Sequence, residues 1–153
     1  MISKEPIPLD AVAATPVLAG LNGAALALLE REGLYHHFRA DEVVVREGEP
    51  GHSLYILVEG EVEVIKNLES EHAVPLAVLH ARTFFGEMCV IDPVPRAATV
   101  YAITPVKAIE IKAATLHHLA TQMPEQFSIV ILNIARDMAR RLRKLDEAYA
   151  AKT

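Results

Sequence analysis

The sequence predicts a mostly β domain, a jelly roll of short antiparallel strands with helices at both ends. Three observations carry this. Apolar residues at helical spacing occur only near the start and after Lys112. Across residues 42–111 the spacing changes to period two, in short runs rich in Val, Ile and Leu. Turn formers separate those runs, among them Gly48, Gly60, the polar stretch 67–72 and the pair Thr104-Pro105.

Residues 1–14, with Pro6 and Pro8, predict an extended N-terminal arm ahead of one domain over 15–153. Asn22 can cap a helix over 23–31, in which Leu26, Leu28 and Leu29 supply an apolar face, and Gly33 ends it. Strands follow at 43–45, 54–58 and 61–65, the last placing acids outward and valines inward. The strand at 74–79 carries Pro75, which belongs at a sheet edge or a strand start. Strands 99–103 and 106–111 read as a hairpin across Thr104-Pro105, and helix returns at 112–122 and again over about 125–148. In that last helix Phe127, Ile131, Ile134, Met138, Arg141 and Leu145 fall at alternating four and three spacing, a heptad seam interrupted by an arginine. Ile129, Val130 and Leu132 make its first half apolar nearly all round. Such a helix is deeply buried or packs on two partners.

Bulk properties fit a single cytoplasmic domain. A chain of 153 residues can close one core, burying roughly two-thirds of its unfolded surface. Its single cysteine, Cys89, excludes an internal disulfide and any multi-cysteine metal site. A net charge of −5 argues against broad nucleic-acid binding, which needs a basic face. No apolar run approaches the ~18–20 residues of a membrane helix. Lys4, Glu5, Pro6 and Pro8 make a poor secretory signal.

The stretch 84–99 carries the chemistry. It reads Phe-Phe-Gly-Glu-Met-Cys-Val-Ile-Asp-Pro-Val-Pro-Arg-Ala-Ala-Thr. Gly86 lets backbone approach a ligand closely. The residues after it suffice for one helical turn, stopped by Pro93, and free N–H groups at such a start favour an anion. Arg96 offers a planar fork for two phosphate oxygens. Glu87 belongs beside them if it accepts hydrogen bonds from sugar hydroxyls. Phosphate and sugar hydroxyl together mean a nucleotide.

Phe85-Gly86-Glu87 followed by Pro95-Arg96-Ala97-Ala98-Thr99 closely resembles the phosphate-binding cassette of the cyclic nucleotide-binding domain family. That family includes catabolite activator proteins, regulatory subunits of cAMP-dependent protein kinase and cyclic-nucleotide-gated channels. The resemblance spans about residues 15–142, including the hairpin-like segment 46–60 and Met138-Ala139-Arg140-Arg141-Leu142. It implies a cyclic nucleotide-binding β jelly roll, or double-stranded β-helix. Glu87 would take the ribose 2′-hydroxyl and Arg96 the exocyclic phosphate oxygens. Backbone around Met88, Cys89, Ala97 and Ala98 would complete the phosphate shell. Arg141 would reach Glu87, linking ligand, cassette and last helix. The ligand implied is cAMP, with cGMP as the alternative, and no cofactor or metal is implied. A homodimer through the last helix and an effector protein of unidentified kind are the implied partners.

Two departures from the family matter. The Thr-Ser pair that contacts the purine in catabolite activators is replaced by Leu145 and Asp146, leaving an apolar lid by Leu145 or Ile134. The chain ends at Thr153, so a stand-alone sensor without direct DNA binding is expected. Ala97 lacks the hydroxyl with which cGMP-selective relatives meet the guanine amino group. A missing bond of that kind costs roughly 1–3 kcal/mol, which favours cAMP. Other readings of the same residues are plainer. Arg96 and Glu87 could pair with each other, and Cys89 could be a small packing residue. Neighbouring histidines, His36-His37 and His117-His118, point apart and make poor metal ligands. No nucleophile–base pair or paired catalytic carboxylates stand out, so a regulatory module rather than an enzyme is expected. The plainest alternative is an interaction module with an empty or repurposed pocket.

Overall fold

A computed structural model describes residues 1–152. Strands β1 (Leu34–Phe38), β8 (Val106–Lys112), β3 (Ser53–Glu59) and β6 (Phe84–Phe85) form one antiparallel sheet in that order. Strands β2 (Val43–Val45), β7 (Thr99–Ala102), β4 (Val62–Lys66) and β5 (Val74–Leu79) form the other. Tyr55, Leu57, Phe85 and Ala108 of the first sheet share a core with Val45, Val62, Val100 and Ala102 of the second. The outer face of the first sheet is covered by α2 (Gly23–Glu32), α4 (Ala113–Gln122) and α5 (Pro124–Ala151), packed around Leu54, Ile56, Ile109 and Ile111. The jelly roll with flanking helices is therefore the observed fold.

Being covered on both faces explains why β3 reads as an unbroken apolar run. Leu54 and Ile56 turn to the helices, Tyr55 and Leu57 to the interior of the roll, and all four are buried. Asn22 caps α2 through its Oδ1, which accepts the Ala25 N–H at 2.9 Å. β5 is an edge strand, where the missing N–H of Pro75 costs nothing to an outer neighbour.

Three local expectations change. Strands 99–103 and 106–111 do not form a hairpin: β7 pairs with β2 and β4, whereas β8 pairs with β1 and β3. The intervening turn crosses between sheets, held where Glu61 N–H donates to Thr104 Oγ1 at 3.0 Å and Ile103 N–H to the Glu61 carbonyl at 2.9 Å. The segment 46–60 likewise forms no hairpin of its own: it holds the loop after β2 and then strand β3, and these two strands lie in different sheets. Residues 1–14 do not run as an extended arm. Ile2 bridges His36 at the edge of β1, and the short helix α1 (Leu9–Val12) buries Leu9 and Val12 in the helix-side core. Two apolar anchors outweigh the prolines. β1 and the two-residue β6 carry no clean alternation and are visible only through their partners.

α5 is divided by burial. Val130, Asn133 and Ile134 are buried, with Phe127 and Met138 half-buried against the same core. From Ala139 onward the helix is exposed throughout. Two polar ties fasten the first half to the segment before α2. Asn133 Nδ2 donates to the carbonyls of Val17 (3.2 Å) and Ala19 (2.9 Å), and Asn22 N–H donates to Gln126 Oε1 at 2.8 Å. Among the described residues no helix is long and apolar enough to cross a membrane.

Candidate functional site

β6 delivers the chain to the mouth of the roll, where Phe85 stacks on Tyr55 of β3 with ring centroids 5.2 Å apart. Gly86 follows with φ +88°, a left-handed conformation. A Cβ there would come within 2.5 Å of Arg96 Nη1 and 2.9 Å of the Ser53 carbonyl, so glycine is required on two counts. The chain then forms the single-turn helix α3 (Met88–Ile91), which opens after the fully buried Glu87. Cys89 is buried, its thiol 3.5 Å from the Val94 carbonyl, whereas Met88 is half exposed.

Arg96 returns across this turn. Its backbone is fixed on both sides, N–H to the Glu49 carbonyl and carbonyl to the Gly48 N–H, each at 2.8 Å. Arg96 is only 8% exposed, and its guanidinium carbon lies 5.9 Å from the centroid of the Tyr55 ring, with no hydrogen-bond partner at Nη1 among the described residues. Gly51 makes room for it, since a Cβ there would come within 2.9 Å of Arg96 Nε and overlap the Cys89 sulfur. A buried cationic fork with an open N–H is the arrangement expected of an anion receptor. Ala97 is exposed and its carbonyl accepts from Lys66 Nζ at 2.7 Å, while Ala98 is buried.

Glu87 does not pair with Arg96. Its Oε1 instead accepts Arg141 Nη1 from α5 at 2.6 Å, and Arg141 Nη2 reaches Asp137 at the same distance. The Arg141 guanidinium also stands 5.8 Å from the Phe84 ring. Phe85, Gly86, Glu87, Cys89, Arg96 and Arg141 thus converge, whereas Met88 and Ala97 lie at the rim. Of the two residues expected to cap the base, Leu145 is 66% exposed and Ile134 is buried in the helix-side core.

No local motif marks Gly51 as making room for Arg96, Tyr55 as the floor under it, or Glu110 as the acid paired with Tyr55. Glu110 pairs in register with Tyr55 and accepts from Ser53 Oγ at 2.5 Å, while its other oxygen bonds His36 Nε2 at 2.7 Å. Burial, with the Glu110 charge adding, pushes the Tyr55 phenol up to about 12 against the opposing pull of Arg96. The His36 hydrogen bond holds the Glu110 carboxyl below its ordinary range, assisted by Ser53 and opposed by burial. Only strand pairing brings these residues together. Among the described residues no cluster of three or more His, Cys, Asp or Glu side chains is placed to hold a metal ion.

The chain is 28% identical over 141 residues to the CRP-like cAMP-activated global transcriptional regulator of Mycobacterium tuberculosis, covering 92% of this chain and 61% of that protein. It is 37% identical over 114 residues to a cyclic nucleotide-gated potassium channel of Rhizobium etli, covering 74% of this chain and 30% of the channel. It therefore spans under two-thirds of the length of these relatives. A solved cyclic nucleotide-binding domain from Methylobacillus flagellatus superposes with a TM-score of 0.81 at 25% identity, over 95% of this chain and 82% of that one. The sequence pattern of the cyclic nucleotide-binding domain matches residues 35–123, more than half of the chain, and the protein belongs to the cyclic nucleotide-binding domain family.

Proposed function

We propose that this domain is a regulatory sensor of cyclic nucleotide, cAMP in preference to cGMP, acting in the cytoplasm without catalysis of its own. The observation that carries the reading is Arg96, buried with an open Nη1 among the described residues. An exocyclic phosphate supplies the acceptor that this guanidinium lacks. Glu87 has one oxygen on Arg141, and its carboxylate can also accept a ribose 2′-hydroxyl. Because α5 reaches the same carboxylate through Arg141, occupancy of the cassette biases where the second half of α5 sits, a population shift between two arrangements. That half presents Leu142, Leu145 and Tyr149, each at least 60% exposed, for a second copy or an effector protein.

Thermal melting of the purified protein with cAMP, cGMP or 5′-AMP tests this. Ligand at about 100 times its Kd stabilises a fold by about 2.7 kcal/mol, which at this size is a Tm rise of roughly 5–11 °C. The expected order is cAMP above cGMP, with no rise for 5′-AMP. Arg96→Glu should keep the fold and abolish the rise. A full rise in that variant removes Arg96 from the site. No rise with any ligand up to millimolar gives the lead to an interaction module with a repurposed pocket.

A further inference from the structure

Arg141 is shared between two acids, and the way it is shared leaves part of Glu87 unused. Its Nη1 donates to Glu87 Oε1 at 2.6 Å, and its Nη2 meets Asp137 Oδ2 at the same distance. The first contact is an aligned hydrogen bond. The second is an ion pair short of hydrogen-bond alignment, with Oδ2 buried. Asp137 lies four residues before Arg141 on α5, so the two share one helix face with the acid first, the favourable order for such a pair. A guanidinium facing a single carboxylate commonly closes on it as a fork, two parallel N–H groups on two oxygens. Here the fork is split, one nitrogen to each acid, and Glu87 engages Arg141 through one oxygen only. The Glu87 side chain is 3% exposed. Its second oxygen therefore has little bulk water to draw on, and its donor is either a bound ligand or the rest of that fork.

Resting on the cyclic nucleotide reading, we propose that Asp137 is a positioning residue for ribose recognition: by holding Nη2 of Arg141, it keeps Glu87 Oε2 open to the 2′-hydroxyl of the ligand. Without Asp137 the guanidinium, already bonded to Oε1, turns about that bond and closes on both oxygens. The ribose hydroxyl then has to displace an N–H of a charged group. Asp137 acts only through Arg141, so its effect falls on ligands that carry a 2′-hydroxyl and spares those that lack it.

The test is calorimetric titration of the protein with cAMP and with 2′-deoxy-cAMP, read as the ratio of the two affinities. The ratio is the right measure because removing an acid strengthens the pull on any anion, a gain common to both ligands. Wild type should favour cAMP by roughly tenfold or more, the worth of one hydrogen bond to a charged group. Asp137→Ala, a substitution that suits a helix, should cut that preference to about threefold or less. Asp137→Glu, which returns an acid to the same face, should restore it. If Asp137→Ala does not fold, Asp137→Asn, whose neutral amide is a weaker acceptor, should show a smaller loss of the same preference. An unchanged preference in the folded variant overturns the inference, as does equal loss of affinity for both ligands or a failure of Asp137→Glu to restore the preference. A wild-type protein that binds both ligands equally also overturns it, while the cyclic nucleotide reading stands. A wild-type protein that binds neither overturns both.

Discussion

Two glycines make the site possible, and they differ in how visible they are. Gly86 stands directly before Glu87 in the motif, and its φ of +88° and its closeness to Arg96 Nη1 explain it. Gly51 is remote in sequence and makes room for the same guanidinium through a different loop. Spacing alone exposes the first, and only a contact exposes the second. Gly86→Ala should cost about 1–2 kcal/mol from the left-handed backbone and should also push Arg96 out of place. In paired urea melts and cAMP titrations we expect affinity to fall further than stability does. Unchanged affinity in a stable variant would mean that Arg96 does not depend on that space.

At the scale of elements, α5 is the informative piece. Its apolar positions were legible as a seam, and Phe127, Ile134 and Met138 do face the core. Asn133 was not, because an amide at a core position looks like an exposed residue until its partners are known. Its Nδ2 serves two carbonyls, those of Val17 and Ala19, at the turn where Gly20 adopts φ +89°. Asn133→Ala leaves both carbonyls without this donor and should destabilise the fold by about 1–3 kcal/mol. Chemical denaturation measures this, and a loss below a few tenths would show that water replaces the amide. The second half of α5 has its tie to the cassette through Arg141 and Glu87. The helix is therefore fastened to the core along its first half and tied to the cassette along its second.

For the molecule as a whole, pH dependence follows from Glu110. Its carboxyl is held below the ordinary range by His36, then Ser53, against burial. A group lowered in the folded state contributes stability above its unfolded value, near ~4.3 for glutamate, and loses it as pH falls through the folded value. Glu110→Gln should therefore lower stability at neutral pH and narrow the gap between pH 7 and pH 3. Denaturation at both pH values decides this, and an unchanged gap would assign acid sensitivity to other carboxylates.

The sequence by itself determined the fold class, most strand positions, the capped helix after Asn22 and the cassette residues Gly86, Glu87 and Arg96. Those features are local: side-chain period, turn chemistry and motif spacing act over a few residues. Tertiary structure decided which strands pair, and so turned an apparent hairpin at Thr104-Pro105 into a crossing between sheets. It also buried Leu9 and Val12, set Tyr55 under Arg96, and gathered His36, Ser53 and Glu110 from three strands. Such contacts join residues far apart in the chain, and pairing register, which no local period encodes, brings them within bonding distance.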